Sequence, residues 1–256
     1  MGRLRISALA DDLAPGLRRA VEEARVLGLD GLELGWASGT LAEVEPTRSA
    51  RRDLRRLFER TGLVLSALRA DDLGGFEDPN ANDRKIPEMA RRIALGGELG
   101  AKVLTLRLGP LREGARAPAQ SALAEAMKDL SREAERHGVV LAASGGEEPP
   151  ERLAELVSGL SLPTVRAALD PAEAISRGRS AVEAAGRLGP LLAHCIAADA
   201  RPGGERRPPG EGEVPWAEYL AALEASGYEG FHALDAGGRA EGIRDGLEFL
   251  RRLQPG

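Results

Sequence analysis

Arg69 and Arg107 stand at the ends of two short apolar runs, LVLSAL (63–68) and KVLTLRL (102–108). A guanidinium so placed suits a phosphate, a carboxylate or the oxygen of an enolate. The competing reading makes them structural ion-pair partners of Glu33, Asp71 or Asp72. His194 and His232 lie within two further apolar runs. Either can act as a general base if its ring faces a cavity, or sit satisfied at a packing boundary. His137 precedes Gly138 at a helix end, where a cation favours the helix dipole, and is assigned no chemistry. Trp36, just beyond LDGLEL (29–34), offers a flat face for a sugar ring, whereas Trp216 is read as the anchor of the segment before it. Cys195 is the only cysteine, so an internal disulfide and a multi-cysteine zinc site are excluded and a reducing, cytoplasmic compartment fits.

These residues need elements to hold them. Eight short apolar runs recur along the chain: the three above with LRISAL (4–9), VVLAAS (139–144), VRAALD (165–170), LLAHCIAAD (191–199) and GFHALD (230–235). Amphipathic stretches at 15–27, 48–60, 83–99, 119–136, 150–159, 216–226 and 239–252 lie between them. Strand and crossover helix in alternation predict a parallel sheet. Eight such units divide the 256 residues into about 32 apiece, which matches a closed (β/α)8 TIM barrel occupying 1–256 as one domain. An open doubly wound sheet is the alternative, but no G-x-G-x-x-G or Walker-type loop follows any run, so no nucleotide cofactor is expected.

Boundary residues mark several helices. Thr47 is a cap and Gly62 a stop; Gly138 ends the fourth stretch, and Pro15 suits a first helical turn. Gly-Gly pairs beginning at 74, 96, 145, 203 and 237 read as turns. RPGGERRPPGEGEVP (201–215) has no apolar periodicity and is a loop; after the seventh strand it either covers a ligand or is a solvated connection.

Hydrophobic residues make up 43% and charged residues 29% of the chain, enough for a full core under a charged surface. A net charge of -5, with 35 basic residues scattered among 40 acidic ones, leaves no stripe for a nucleic-acid backbone. MGRLRISALADDLAP lacks the apolar core of a secretory signal, and no run approaches membrane-spanning length.

The order of segments resembles the sugar phosphate isomerase/epimerase family of xylose-isomerase-like barrels over nearly the whole chain. The likeness is carried by ISALADDLAPGLRRAVEEARVLGLDGLEL, GELGAKVLTL, LAEAMKDLSREAERHGVVLA, VRAALDPAEA, LGPLLAHCIAAD and PPGEGEVPWAEYLAALEASGYEGFHALD. It implies one divalent metal (Mg, Mn or Zn) held by Glu on strand five, Asp on strand six, His on strand seven and Glu on strand eight, with the two Glu residues exchanging protons. The strand-six and strand-eight places fall on Asp170 and Asp235. The other two fall on Ser144 and Ile196, and a histidine frequent three residues after the strand-six Asp is Glu173. The resemblance thus implies a degenerate metal site.

Two carboxylates are few for a hard divalent cation. Glu173, Asp199, or Glu147 and Glu148 can complete a rearranged site; otherwise these acids bind water and arginines. With Ser144 in place of a base, two-base inversion loses a partner and a one-base reaction remains, with Asp235 or Glu173 taking the proton. Arg69, Arg107, Trp36, Glu33 and His232 are the expected substrate-binding set. The expectation is an isomerase or epimerase of a small polyhydroxylated, anionic substrate at an altered metal site. The alternative is a barrel without turnover serving as a binding or partner subunit. A small-molecule ligand is the expected partner, nucleic acid and membrane are not, and homo-oligomer formation is left open. A DNA-repair endonuclease would need a histidine-rich metal cluster, and the chain has three histidines.

Overall fold

The computed structural model describes residues 3–36, 41, 47–110, 117–145 and 149–254. Eight strands form a closed ring in chain order. They are β1 (Arg5–Leu9), β2 (Gly31–Gly35), β3 (Val64–Arg69), β4 (Val103–Arg107), β5 (Val140–Ser144), β6 (Val165–Leu169), β7 (Leu192–Ala197) and β8 (Phe231–Leu234). Every neighbouring pair is parallel, and β8 closes the ring on β1 from Arg5↔Phe231 to Ala8↔Leu234. The chain is therefore a single (β/α)8 barrel. A parallel ring wrapped by helices buries both faces of each strand, which is why the strands read as nearly continuous apolar runs.

Among the described residues the α-helices are α1 (Ala10–Leu13), α2 (Leu17–Leu27), α3 (Arg48–Thr61), α4 (Pro79–Leu99), α5 (Ala117–His137), α6 (Pro150–Leu160), α7 (Pro171–Ser176), α8 (Ala181–Leu188), α9 (Trp216–Ala225) and α10 (Ala240–Arg252). Thr47 caps α3 by accepting from Ala50 N at 3.1 Å, and Gly62 ends it at φ 71°. Pro15 lies outside α2, because Gly16 at φ 82° makes the entry turn instead. The pair at 96–97 is not a turn: both glycines lie inside α4. A Cβ on Gly97 would come 2.8 Å from the His137 carbonyl oxygen, so the missing side chain lets α4 approach the end of α5. Glu147 and Glu148 lie outside the described residues.

Side-chain alternation along β7 decides what faces the barrel axis. His194 reaches Glu33 of β2, a strand that is not its neighbour in the ring, so its side chain points inward. Ile196, two residues on, shares that face and borders the cavity at the mouth. Cys195 between them turns outward to Tyr219 and Tyr228, and burial there pushes its thiol up to about 12. His232 is in register with Cys195 and also faces the helices, its ring edge-on to Tyr228 at 5.6 Å.

Candidate functional site

The carboxyl ends of the strands open onto a cavity of about 440 Å³. Arg69 from β3, Arg107 from β4, Ser144 from β5 and Ile196 from β7 border it, with Asp170 and Asp235 immediately after β6 and β8. Asp170 and Asp235 thus share one cavity, as their places at two strand ends require. Ser144 stands beside them with its Oγ donating to the Leu106 carbonyl at 3.4 Å.

Charges alternate across this mouth. Glu33 is fully buried and accepts from Arg69 Nη2 at 3.0 Å, while His194 Nε2 lies 3.0 Å from its other oxygen. Burial would raise the Glu33 carboxyl, but His194 and Arg69 together hold it down to about 2. Arg69 Nη1 turns to Asp235 Oδ2 at 3.4 Å, and Arg206 Nη1 approaches the same oxygen at 3.5 Å. Arg206 Nη2 donates to Asp170 Oδ2. Glu33, Arg69, Asp235, Arg206 and Asp170 therefore form a line from β2 to β6, negative and positive in turn. For both arginines burial opposes the charge and the acids outweigh it, so each holds its proton more firmly than usual.

Asp170 also caps α7, accepting from Ala172 N at 3.0 Å and Glu173 N at 3.4 Å. That cap sets Glu173 on the cavity wall, where it accepts from Arg177 Nη2 at 2.8 Å. Burial and the neighbouring Asp170 raise the Glu173 carboxyl above the usual range, against the pull of Arg177 and Arg107. Arg107 borders the cavity, exposed, and pairs with none of Glu33, Asp71 and Asp72; Asp72 bonds Arg92, and Asp71 accepts from Thr105.

Other expected residues lie apart from the cavity. Trp36 packs beneath Arg92, whose guanidinium carbon stands 4.7 Å from the ring centre. His232 is buried against Tyr228, and burial with the nearby His194 charge lowers it to about 4. Asp199 completes no acid cluster at the mouth. It is fully buried and accepts from Ala200 N, Gly210 N, Val214 N and Trp216 Nε1 at 2.9 to 3.0 Å. It thereby folds the 201–215 loop, and Trp216 is the anchor expected of it.

Two residues at the mouth escape a reading based on strand ends. Arg206 sits in the loop without periodicity. Its neighbour Arg207 pairs with Asp199 in an antiparallel bridge, and a Cβ on Gly237 would come 2.9 Å from the Arg206 carbonyl. Pro208 and Pro209 rest on Gly242 and Gly246 of α10, where an added Cβ would come within 2.5 and 2.6 Å of them. Asp12 lies on α1, just beyond β1; burial and Asp235 raise it to about 6 although Arg69 pulls it down. Its only sequence signal is an acidic pair directly after a strand, on the face where loops carry function.

A divalent ion does not fit the residues present. The oxygens that Asp170 and Asp235 turn to the cavity are engaged by Arg206, the Ser144 hydroxyl is a weak neutral donor, and Ile196 offers none. Among the described residues no three His, Cys, Asp or Glu side chains converge as ligands.

Fold and mouth together define a class, the closed parallel barrels that keep a charged cavity at the carboxyl ends of their strands. The chain belongs to the xylose isomerase-like TIM barrel family, whose model matches residues 21–253. None of the curated proteins compared matches its sequence. A xylose isomerase domain protein from Planctomyces limnophilus superposes with TM-score 0.78 at 20% identity, over 98% of this chain and 96% of that one. The apo 3-keto-D-glucoside 4-epimerase YcjR from E. coli gives TM-score 0.79 at 17% identity, over 98% and 100%. The IOLI protein with a bound zinc atom gives 0.80 at 17%, over 98% and 96%. No helix among the described residues is long and apolar enough to cross a membrane.

Proposed function

We propose that this barrel is an isomerase-like enzyme for a small, polyhydroxylated, anionic substrate, working by proton transfer at an altered metal site. The observation that carries the reading is Glu173, a carboxyl that burial and Asp170 raise above its ordinary value, on the wall of a cavity that Arg107 also borders. A group that both takes and returns a proton works best near the ambient pH. Glu173 takes the proton from the carbon next to a carbonyl, and the electron pair moves to the carbonyl oxygen. Arg107 and Arg69 offset the resulting enediolate charge or hold the anionic end. The hydroxyl proton passes to the former carbonyl oxygen, and return of the first proton to the former carbonyl carbon gives the isomer. Asp235, engaged by Arg69, Arg206 and Gly237 N, holds the arginines in place.

The lining supports this substrate class. Five arginines and four acids surround the cavity, a wall suited to hydroxyls and anions rather than to an apolar molecule. Relatives whose structures superpose act on sugars by name, and free Cys195 suits the cytoplasm. A second reading, a binding barrel without turnover, draws on the arginines that already engage Asp170 and Asp235.

The deciding experiment incubates the protein with aldoses, ketoses and their phosphates in D2O and follows carbon-bound deuterium by NMR. Exchange into one substrate, lost at least 100-fold in Glu173→Gln with little change in ligand affinity, is expected. Binding by calorimetry without exchange across the panel overturns the enzymatic reading in favour of the second.

A further inference from the structure

Asp170 and Asp235 are held in the same way. Each commits one oxygen to backbone N–H groups: Asp170 Oδ1 accepts from Ala172 and Glu173, and Asp235 Oδ1 accepts from Gly237 at 3.0 Å. Each turns its other oxygen into the mouth toward Arg206, and Asp235 Oδ2 also accepts from Arg69 Nη1 at 3.4 Å. The carboxylates are largely buried, their side chains 9% and 12% exposed, so two unpaired negative charges there would be costly. The compensating cation is covalent.

We infer that Arg206 is the resident cation of this mouth, a tethered guanidinium standing between Asp170 and Asp235, the two acids that the family resemblance would make metal ligands. The disagreement between the donor set and a metal is thereby explained: the vacated places at Ser144 and Ile196 need no ligand because the positive charge arrives on the loop. The loop is built to deliver it. Arg207 is fixed to Asp199 by backbone bonds of 2.8 Å in both directions, which leaves the adjacent side chain aimed at the cavity it borders. Arg206 Nη1 is buried without a hydrogen-bond acceptor, Asp235 Oδ2 at 3.5 Å being its ion-pair partner. A guanidinium differs from a metal in carrying one charge, presenting planar donors and exchanging with nothing in solution.

The inference concerns metal and charge and is independent of turnover, so its test reads binding. Metal-free protein is titrated with Mn²⁺ and followed by electron paramagnetic resonance and by thermal melting. Wild type is expected to take up no stoichiometric Mn²⁺, with an unmoved melting temperature. Arg206→Ala is expected to melt lower, to bind one Mn²⁺ at least tenfold more tightly than wild type, and to regain part of its melting temperature when Mn²⁺ is added. Adding Asp170→Asn to that variant should abolish the gain. Arg206→Gln, which keeps length and loses charge, serves where the alanine variant does not fold. Stoichiometric Mn²⁺ on wild type, or a variant that binds no tighter than wild type, overturns the proposal.

Discussion

Glu33 and Glu173 carry the same side chain and hold their protons very differently, because one is buried against His194 and Arg69 and the other against an acid. His232 shows the same logic with the sign reversed: its folded value of about 4 lies below the ordinary 6.5, so the fold keeps the ring neutral. Above pH 6.5 folded and unfolded chains both leave it neutral, and its full contribution to stability is present. As pH falls toward 4 the unfolded chain takes up a proton that the fold refuses, and the contribution is lost. Asp12, raised to about 6, acts in the opposite direction over part of this range. Subtracting a variant isolates the histidine. The stability advantage of wild type over His232→Asn in urea melts should shrink by about 3 kcal/mol between pH 7.5 and pH 4. A constant difference would show that the ring is not held neutral. Asp170 and Asp235 could be read through the family resemblance, which can be laid on the chain because each ends an apolar run. Arg206 could not, because nothing in a loop's composition says which of its arginines turns inward.

At the scale of elements, strands were legible nearly to the residue, since β-forming runs between turn residues admit few other readings. Helices were less so. The connection from β6 to β7 is two short pieces, PAEAIS and AVEAAGRL, each too brief to display a helical period, and neither stood out. α4 begins four residues before its expected start because Asp78 caps it, accepting from Asn80 N at 3.0 Å, with Pro79 in the first turn. The 201–215 segment behaves as an element because of Asp199, whose carboxylate replaces the hydrogen bonds that a helix or strand would supply. Asp199→Ala would leave three backbone N–H groups and the Trp216 indole without their acceptor. A loss of roughly 3 kcal/mol is expected from urea melts. Tryptic cleavage after Arg206 should then appear by mass spectrometry. Arg201 and Arg207, each followed by proline, should resist.

For the whole molecule, closure is the property with a physical signature. A ring in which β8 pairs with β1 has no edge strand, so no strand carries a free row of backbone donors and acceptors. Amides of β1 and β8 should therefore exchange with deuterium as slowly as those of β4 and β5, read by hydrogen-exchange mass spectrometry. Much faster exchange at β1 and β8 would mean an open sheet. The eightfold repeat was visible in the chain because every unit must bury a strand between two neighbours. Which charges meet at the mouth depends on contacts between strands far apart in sequence, such as Glu33 with His194, and no local pattern encodes them.

The seating of Pro208 and Pro209 on Gly242 and Gly246 ties the Arg206 segment to the last helix at two points one turn apart. A segment so seated would act as a rim rather than a lid. Molecules would enter and leave through an aperture of constant size, and selection among them would be made by fit and charge at the threshold rather than by a closing movement. A change on the inner face of that helix, even a single methyl, would reshape the threshold without touching any residue that lines it.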